Sequence, residues 1–339
     1  MFTTAAASSA TSTAQSSRRG KPARALLTLA AAGLLASGVM AASLATGHGA
    51  TSQAAVTNCM KSPSACGYPD ASNTGVPAGT TLKTVGTQVT KGPGWYFDSR
   101  GWVVVNGNGA VLSGLYIPYG VNIEASNVTL KNDKIMVGGQ SAIAVALRHS
   151  TNATVENCTI SGFNSGSERM MTGVKDVFGD ATGTQVLNNN ISNYETGVQL
   201  GAGLVQGNFI HNPGYITADH TNGIMSNGGG TALLTINHNT VFNDRGQTDA
   251  VALFEDFGVQ TNRRVTNNLL AGGGYSLYGG QKPGGPASSN IVISGNRFGT
   301  GYFAQAGQYG PVTQFDSSGS GNVWSGNVWD SNGSAVSAP

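Results

Sequence analysis

Charge is what this chain has least of. Only 10% of its 339 residues are Asp, Glu, Lys or Arg, and 7% are aromatic. So little Lys and Arg leaves no electrostatic footprint for nucleic acid. Cysteines number three, and no Cys or His spacing fits a zinc site. Proline numbers 11 and Gly keeps no every-third-residue rhythm, which excludes collagen. Disorder is excluded too, because 39% hydrophobic residues with few charges favour a packed core. What the chain has is glycine, 50 residues of it. Each Gly inside a helix costs roughly 1 kcal/mol against Ala, so a helical protein is ruled out.

The formal charge of +2 is set by the leader. Arg18, Arg19, Lys21 and Arg24 form a basic stretch, Ala25 to Ala42 is apolar and uncharged, and Ser43-Leu44-Ala45 offers a small-residue cleavage site. No basic stop-transfer cluster follows, so residues 1–45 read as a removed signal peptide rather than an anchor. The remainder holds 14 basic against 16 acidic residues. Export to the extracellular space, with no membrane attachment after cleavage, makes disulfides permissible. Cys59 and Cys66, close together amid Pro and Gly, are expected to staple the N-terminus, whereas Cys158 reads as a buried thiol.

One short pattern recurs: apolar, any, any, Asn, any, apolar. It appears at Val186–Ile191, Val205–Ile210, Ile236–Val241, Val265–Leu270, Ile293–Phe298 and Trp324–Trp329. Degenerate copies carry Asp133 and Cys158 at the Asn position. The spacing between markers varies from 19 to 31 residues, which means a fixed rung with loops of variable length. Upstream of each copy lies a second short piece with period-two apolar alternation, such as 173–178, 197–200, 223–226, 251–254 and 275–278. Stacked as parallel strands, such coils bury a continuous core, and a recurring Asn hydrogen-bonds along the stack. A leucine-rich repeat is the rival. Leu does not dominate, however, and nothing between copies looks helical. The sequence therefore predicts an all-β, right-handed parallel β-helix of eight or nine rungs over residues 106–330. Residues 46–105 are expected to form a linker and cap, and 331–339 a polar tail.

With its leader, its Asn-laddered coils and segments such as Asp219-His220-Thr221-Asn222-Gly223-Ile224, Asp256-Phe257-Gly258 and Gly272-Gly273-Gly274-Tyr275, the chain resembles secreted actinobacterial β-helix proteins of the pectate-lyase-like superfamily. That resemblance implies a polysaccharide lyase acting on a uronate-containing glycan, of alginate or pectate type, by β-elimination. The chemistry needs a base for the C5 proton, an acid for the leaving oxygen, and a group that neutralises the adjacent carboxylate.

Aligning the second strands gives an inward column Val174, Val198, Ile224, Val251, Tyr275 and an outward column Lys175, Gln199, Met225, Ala252, Ser276. The richest ionisable patch surrounds the outward column. Lys175 or His220 is the expected base, and Tyr194 or Tyr278 the proton donor. Gln199, Asn222, Arg245, Tyr278 and Lys282 are the expected substrate contacts. Asp249, Glu255 and Asp256 supply oxygen ligands for Ca²⁺, the one cofactor this reading leaves room for. Each also has a structural alternative: a solvated Lys175, a turn made by Asp219 and His220, a packed Tyr194, and acids that cap corners. A glycoside hydrolase would instead pair Asp219 with Asp249, or Asp249 with Glu255. A non-catalytic module would bind glycan on Trp324, Trp329, Tyr275, Tyr278, Tyr302 and Tyr309. The expected partner in every case is an extracellular polysaccharide, met by a monomer.

Overall fold

A computed structural model describes residues 58–339; the leader lies outside the described residues. The chain is all-β and winds into a parallel β-solenoid of about 9 turns. Three sheets run its length, with 11, 10 and 9 strands, here called sheets I, II and III. A representative coil passes through sheet III at Leu234–Asn237, turns at His238 and Asn239, crosses sheet II at Thr240–Asn243, and reaches sheet I at Asp249–Leu253.

The recurring Asn makes the turn between sheets III and II. Asn189, Asn208, Asn239, Asn268, Asn296 and Asn327 are all buried. Each side-chain oxygen accepts the backbone N–H of the marker residue one coil earlier, as in Asn208 N to Asn239 Oδ1 at 3.0 Å. The residue before each marker is left-handed, at φ 55° in Asn132, 54° in Asn188, 54° in His238 and 56° in Asn267. Asn tolerates this region better than other side chains, and Asn157, at φ 51°, with Gly207, Gly295 and Gly326 fills the other turns. This explains why Asn-Asn and Gly-Asn pairs recur in the sequence.

The period-two count of the sheet I strands fails at one place per coil. A Cβ on Gly223 would lie 2.3 Å from Val241 Cγ1, so Gly223 and the buried Ile224 both face inward. Three residues apart, Asn222 and Met225 then share the outer face and line one cleft. The last column is also shifted from expectation. Val251 pairs with Leu277 and Ala252 with Tyr278, so the expected inward Tyr275 and outward Ser276 are corrected to Leu277 and Tyr278. The Gly272-Gly273 turn, at φ 89° and 78°, lengthens the approach to that strand.

Residues 58–76 form a strap across sheet II. Met60 N donates to Asp330 Oδ2 at 3.0 Å near the last coil, and Val76 N to Thr159 Oγ1 at 3.1 Å much earlier in the stack. Between them Tyr68 stacks on His238 with centroids 5.5 Å apart. The expected Cys59–Cys66 disulfide is formed, and buried Cys59 packs with Phe242, Leu269 and Ala271 in a small second core. Removing it by Cys59→Ser with Cys66→Ser should cost about 2–3 kcal/mol of local stability. Amide hydrogen exchange should then speed up over residues 58–76 while the coil strands stay protected.

Both ends are closed. Trp95–Phe97 pairs antiparallel with Trp102–Val105, which in turn starts the parallel ladder on Gly120–Ile123. At the other end the tail folds back rather than trailing away. Val336 is buried and its carbonyl accepts from Trp324 Nε1 at 2.8 Å. Closed ends are what a stack of coils needs to avoid open strand edges.

Candidate functional site

Two clefts open on the outer face of sheet I. Lys175, Gln199, Asn227, Phe178 and Phe257 are prominent in the lining of the first, about 310 Å³ in volume. The second, about 320 Å³, is lined chiefly by His220, Asn222, Met225, Thr248, Asp256 and Tyr278. They adjoin, because Gln199 and Met225 are register partners on neighbouring strands. Of the residues expected from sequence, six therefore gather on one face: Lys175 and Gln199 in one cleft, His220, Asn222, Asp256 and Tyr278 in the other.

A buried ion cluster underlies this face. Arg169 donates to both carboxylate oxygens of Asp219, from Nε at 2.6 Å and Nη2 at 2.5 Å, and from Nη2 to Glu195 Oε2 at 2.9 Å. Ile216 N–H also donates to Asp219. Burial pushes the Asp219 carboxyl up, but the guanidinium and this N–H outweigh it and hold it below the usual range. Asp219 is thus committed to Arg169 and does not orient His220. Glu195 differs. Burial raises its carboxyl, Arg169 pulls it back, Asp219 adds to the rise, and His220 and Lys175 act against it; the net direction is up. A half-buried acid with a raised carboxyl therefore sits near Lys175 of one cleft and His220 of the other. The sequence reading passed over Glu195. The available signal was parity: Tyr194 pairs with buried Met170, which turns its neighbour outward.

Tyr194 itself is wholly buried in the core, and its hydroxyl has no partner. It cannot reach a substrate, so the expected proton-donor role falls to Tyr278 alone. Burial, then the nearby Asp249, push the Tyr278 phenol to about 12, so it stays protonated at neutral pH. Asn222 donates to the His220 carbonyl at 2.7 Å, fixing its own amide at the floor of the cleft.

Arg245 lies elsewhere. Its guanidinium sits 5.6 Å from the Tyr215 ring centroid and its Nε 3.5 Å from Asp244, and it lines neither cleft. Lys282 belongs to the neighbouring loop, its N–H donating to Glu255 Oε2. The three expected Ca²⁺ ligands do not converge. Asp249 is fully buried, Glu255 caps that loop, and Asp256 is exposed. Among the described residues no group of three or more His, Cys, Asp or Glu is placed to hold a metal ion. Burial pushes the Asp249 carboxyl well above its ordinary range, and neither oxygen has a partner in normal hydrogen-bond geometry.

The chain matches no known protein-family pattern and no curated protein sequence. The reading of the site therefore rests on its geometry.

Proposed function

We propose that this protein is a secreted polysaccharide lyase that cleaves a uronate-containing glycan, of alginate or pectate type, by β-elimination. The observation that carries this reading is the second cleft, where His220, Asn222 and Tyr278 stand together with the acid Glu195 close to His220. His220 takes the C5 proton. The electron pair left behind forms the C4–C5 double bond as the C4–O bond breaks, and Tyr278 gives its proton to the departing oxygen. Glu195, whose carboxyl burial raises, is the group assigned to the uronate carboxylate, to which its protonated form donates.

The hydrolase alternative loses support. It needs two carboxylates facing one glycosidic bond. Asp219 is bound by Arg169, Asp249 is buried, and Glu255 accepts from the Lys282 backbone. The leader composition and the disulfide support export.

The test is the ultraviolet absorbance of the unsaturated uronate formed on incubation with alginate, polygalacturonate, hyaluronan or chondroitin, each with Ca²⁺ and with chelator. Absorbance should rise on at least one polymer. His220→Ala and Tyr278→Phe should each lower kcat by about 10²–10⁴-fold, the range for a lost acid or base. New reducing ends without absorbance would establish hydrolysis instead, and no cleavage of any polymer would leave a glycan-binding module.

A further inference from the structure

The first cleft holds two large apolar side chains that folding alone does not account for. Phe178 is 54% exposed and Phe257 is 77% exposed, and both line the same cleft. Single exposed apolar residues are ordinary, but two that meet in one concavity mark a contact surface. Phe178 is also braced from behind. The His149 ring stacks on it with centroids 4.4 Å apart and planes at 6°, and the Arg148 guanidinium lies 5.6 Å from its centroid. His149 is itself held through Nδ1 by Asp180. Asp176 accepts the N–H groups of Gly179, Asp180 and Ala181, which fixes the turn that carries Phe178. A preformed ring face costs a ligand little ordering.

Polar groups complete the cleft. Lys175 and Gln199 are register partners on adjacent strands, and Asn227 lines the same space with a buried Oδ1 that has no hydrogen-bond partner. Buried acceptors without partners are rare and point to a missing donor. Aromatic walls with a few convergent polar groups and one cation suit an anionic sugar.

We propose that this cleft is a separate subsite for one uronate residue of the polymer, distinct from the cleft in which His220 and Tyr278 act. The apolar face of the pyranose packs on Phe178 and Phe257, Lys175 meets the carboxylate, and hydroxyls donate to Asn227 and bond Gln199. Strands of one sheet lie about 4.8 Å apart, and Lys175 stands four strands from Tyr278. A chain spanning both clefts is therefore an oligomer of several sugars. This inference rests on the reading that the face of sheet I takes an anionic glycan.

Affinity electrophoresis and steady-state kinetics test it with alginate, polygalacturonate and neutral galactan. Phe178→Ala and Phe257→Ala should weaken retardation by the bound polyuronate roughly tenfold or more, the effect of losing one aromatic anchor. KM for the polymer should rise by a similar factor with kcat unchanged, while kcat/KM for the shortest oligomer that is cut stays the same. Lys175→Met should weaken polyuronate binding, and Lys175→Arg should restore it. If the wild type binds polyuronate without cleaving it and the Phe variants lose binding, the lyase chemistry fails and the subsite stands. Unchanged binding in both Phe variants, equal loss on the shortest oligomer, or wild-type preference for neutral galactan would overturn the subsite.

Discussion

Replacing Asn239 by Leu is expected to remove about a third or more of the stability of the solenoid. Asn239 lies in mid-ladder and is fully buried. Its Oδ1 accepts from Asn208 N at 3.0 Å and Asn208 Nδ2 at 2.9 Å, and its Nδ2 donates to Val205 O and Asn268 Oδ1. Leu fills a similar volume but answers none of these groups. The Asn208 backbone N–H and the Val205 carbonyl lose buried partners, at about 1–3 kcal/mol for each unsatisfied group. Further strain from placing an apolar side chain among ladder amides brings the cost to the order of 5 kcal/mol, against a typical total of about 5–15. Coils contact only their neighbours, so the damage is centred on one interface of the stack. Asn239→Asp keeps the acceptor and should cost clearly less. Urea midpoints compare the three proteins. A Leu variant within about 1 kcal/mol of wild type would show that the ladder is decoration and that apolar stacking carries the rod.

The ladder also shows why the fold was legible in the sequence while the site was only partly so. A turn used in successive coils leaves the same mark each time: an Asn, preceded by a residue able to take positive φ. Asn188-Asn189, Gly207-Asn208 and Asn267-Asn268 all repeat it. A functional residue occurs once and leaves no period. Its orientation depends on local bulges such as Gly223-Ile224, where two successive residues face inward and parity counting breaks. The placement of Lys175 and Gln199 side by side came out correctly because they lie in register beyond the bulge. Tyr194 did not, because an aromatic beside a Gly-led strand reads equally as core or surface. The partner of Asp219 was out of reach as well: Arg169, 50 residues earlier in the chain, comes from a loop whose path no pattern announces. Solenoid loops escape the repeat, and two of the three ions beneath the clefts, Arg169 and Asp219, come from those loops.

Asp133 carries the second large effect, and it depends on pH. It occupies a ladder position where later coils have Asn. Its Oδ1 accepts from Leu115 N at 2.8 Å, while its buried Oδ2 has no partner. Burial pushes its carboxyl up to about 7, against the pull of the backbone N–H groups of Leu115 and Lys131. In the unfolded chain the same group titrates near 3.8. The folded state therefore holds this proton more tightly. Its contribution is fully present below about pH 4, declines as pH rises, and is gone above about 7, a loss of at most about 4 kcal/mol. Asp249, shifted in the same direction, adds to the decline toward alkaline pH. Asp133→Asn removes the charge and supplies an amide donor of the kind Asn189 uses toward the Val155 carbonyl. The variant should match the wild type near pH 4 and exceed it by several degrees in Tm at pH 8, where its own profile is flatter. The same Tm difference at both pH values would mean that Asp133 is not protonated in the folded ladder, and that its Oδ2 meets water there.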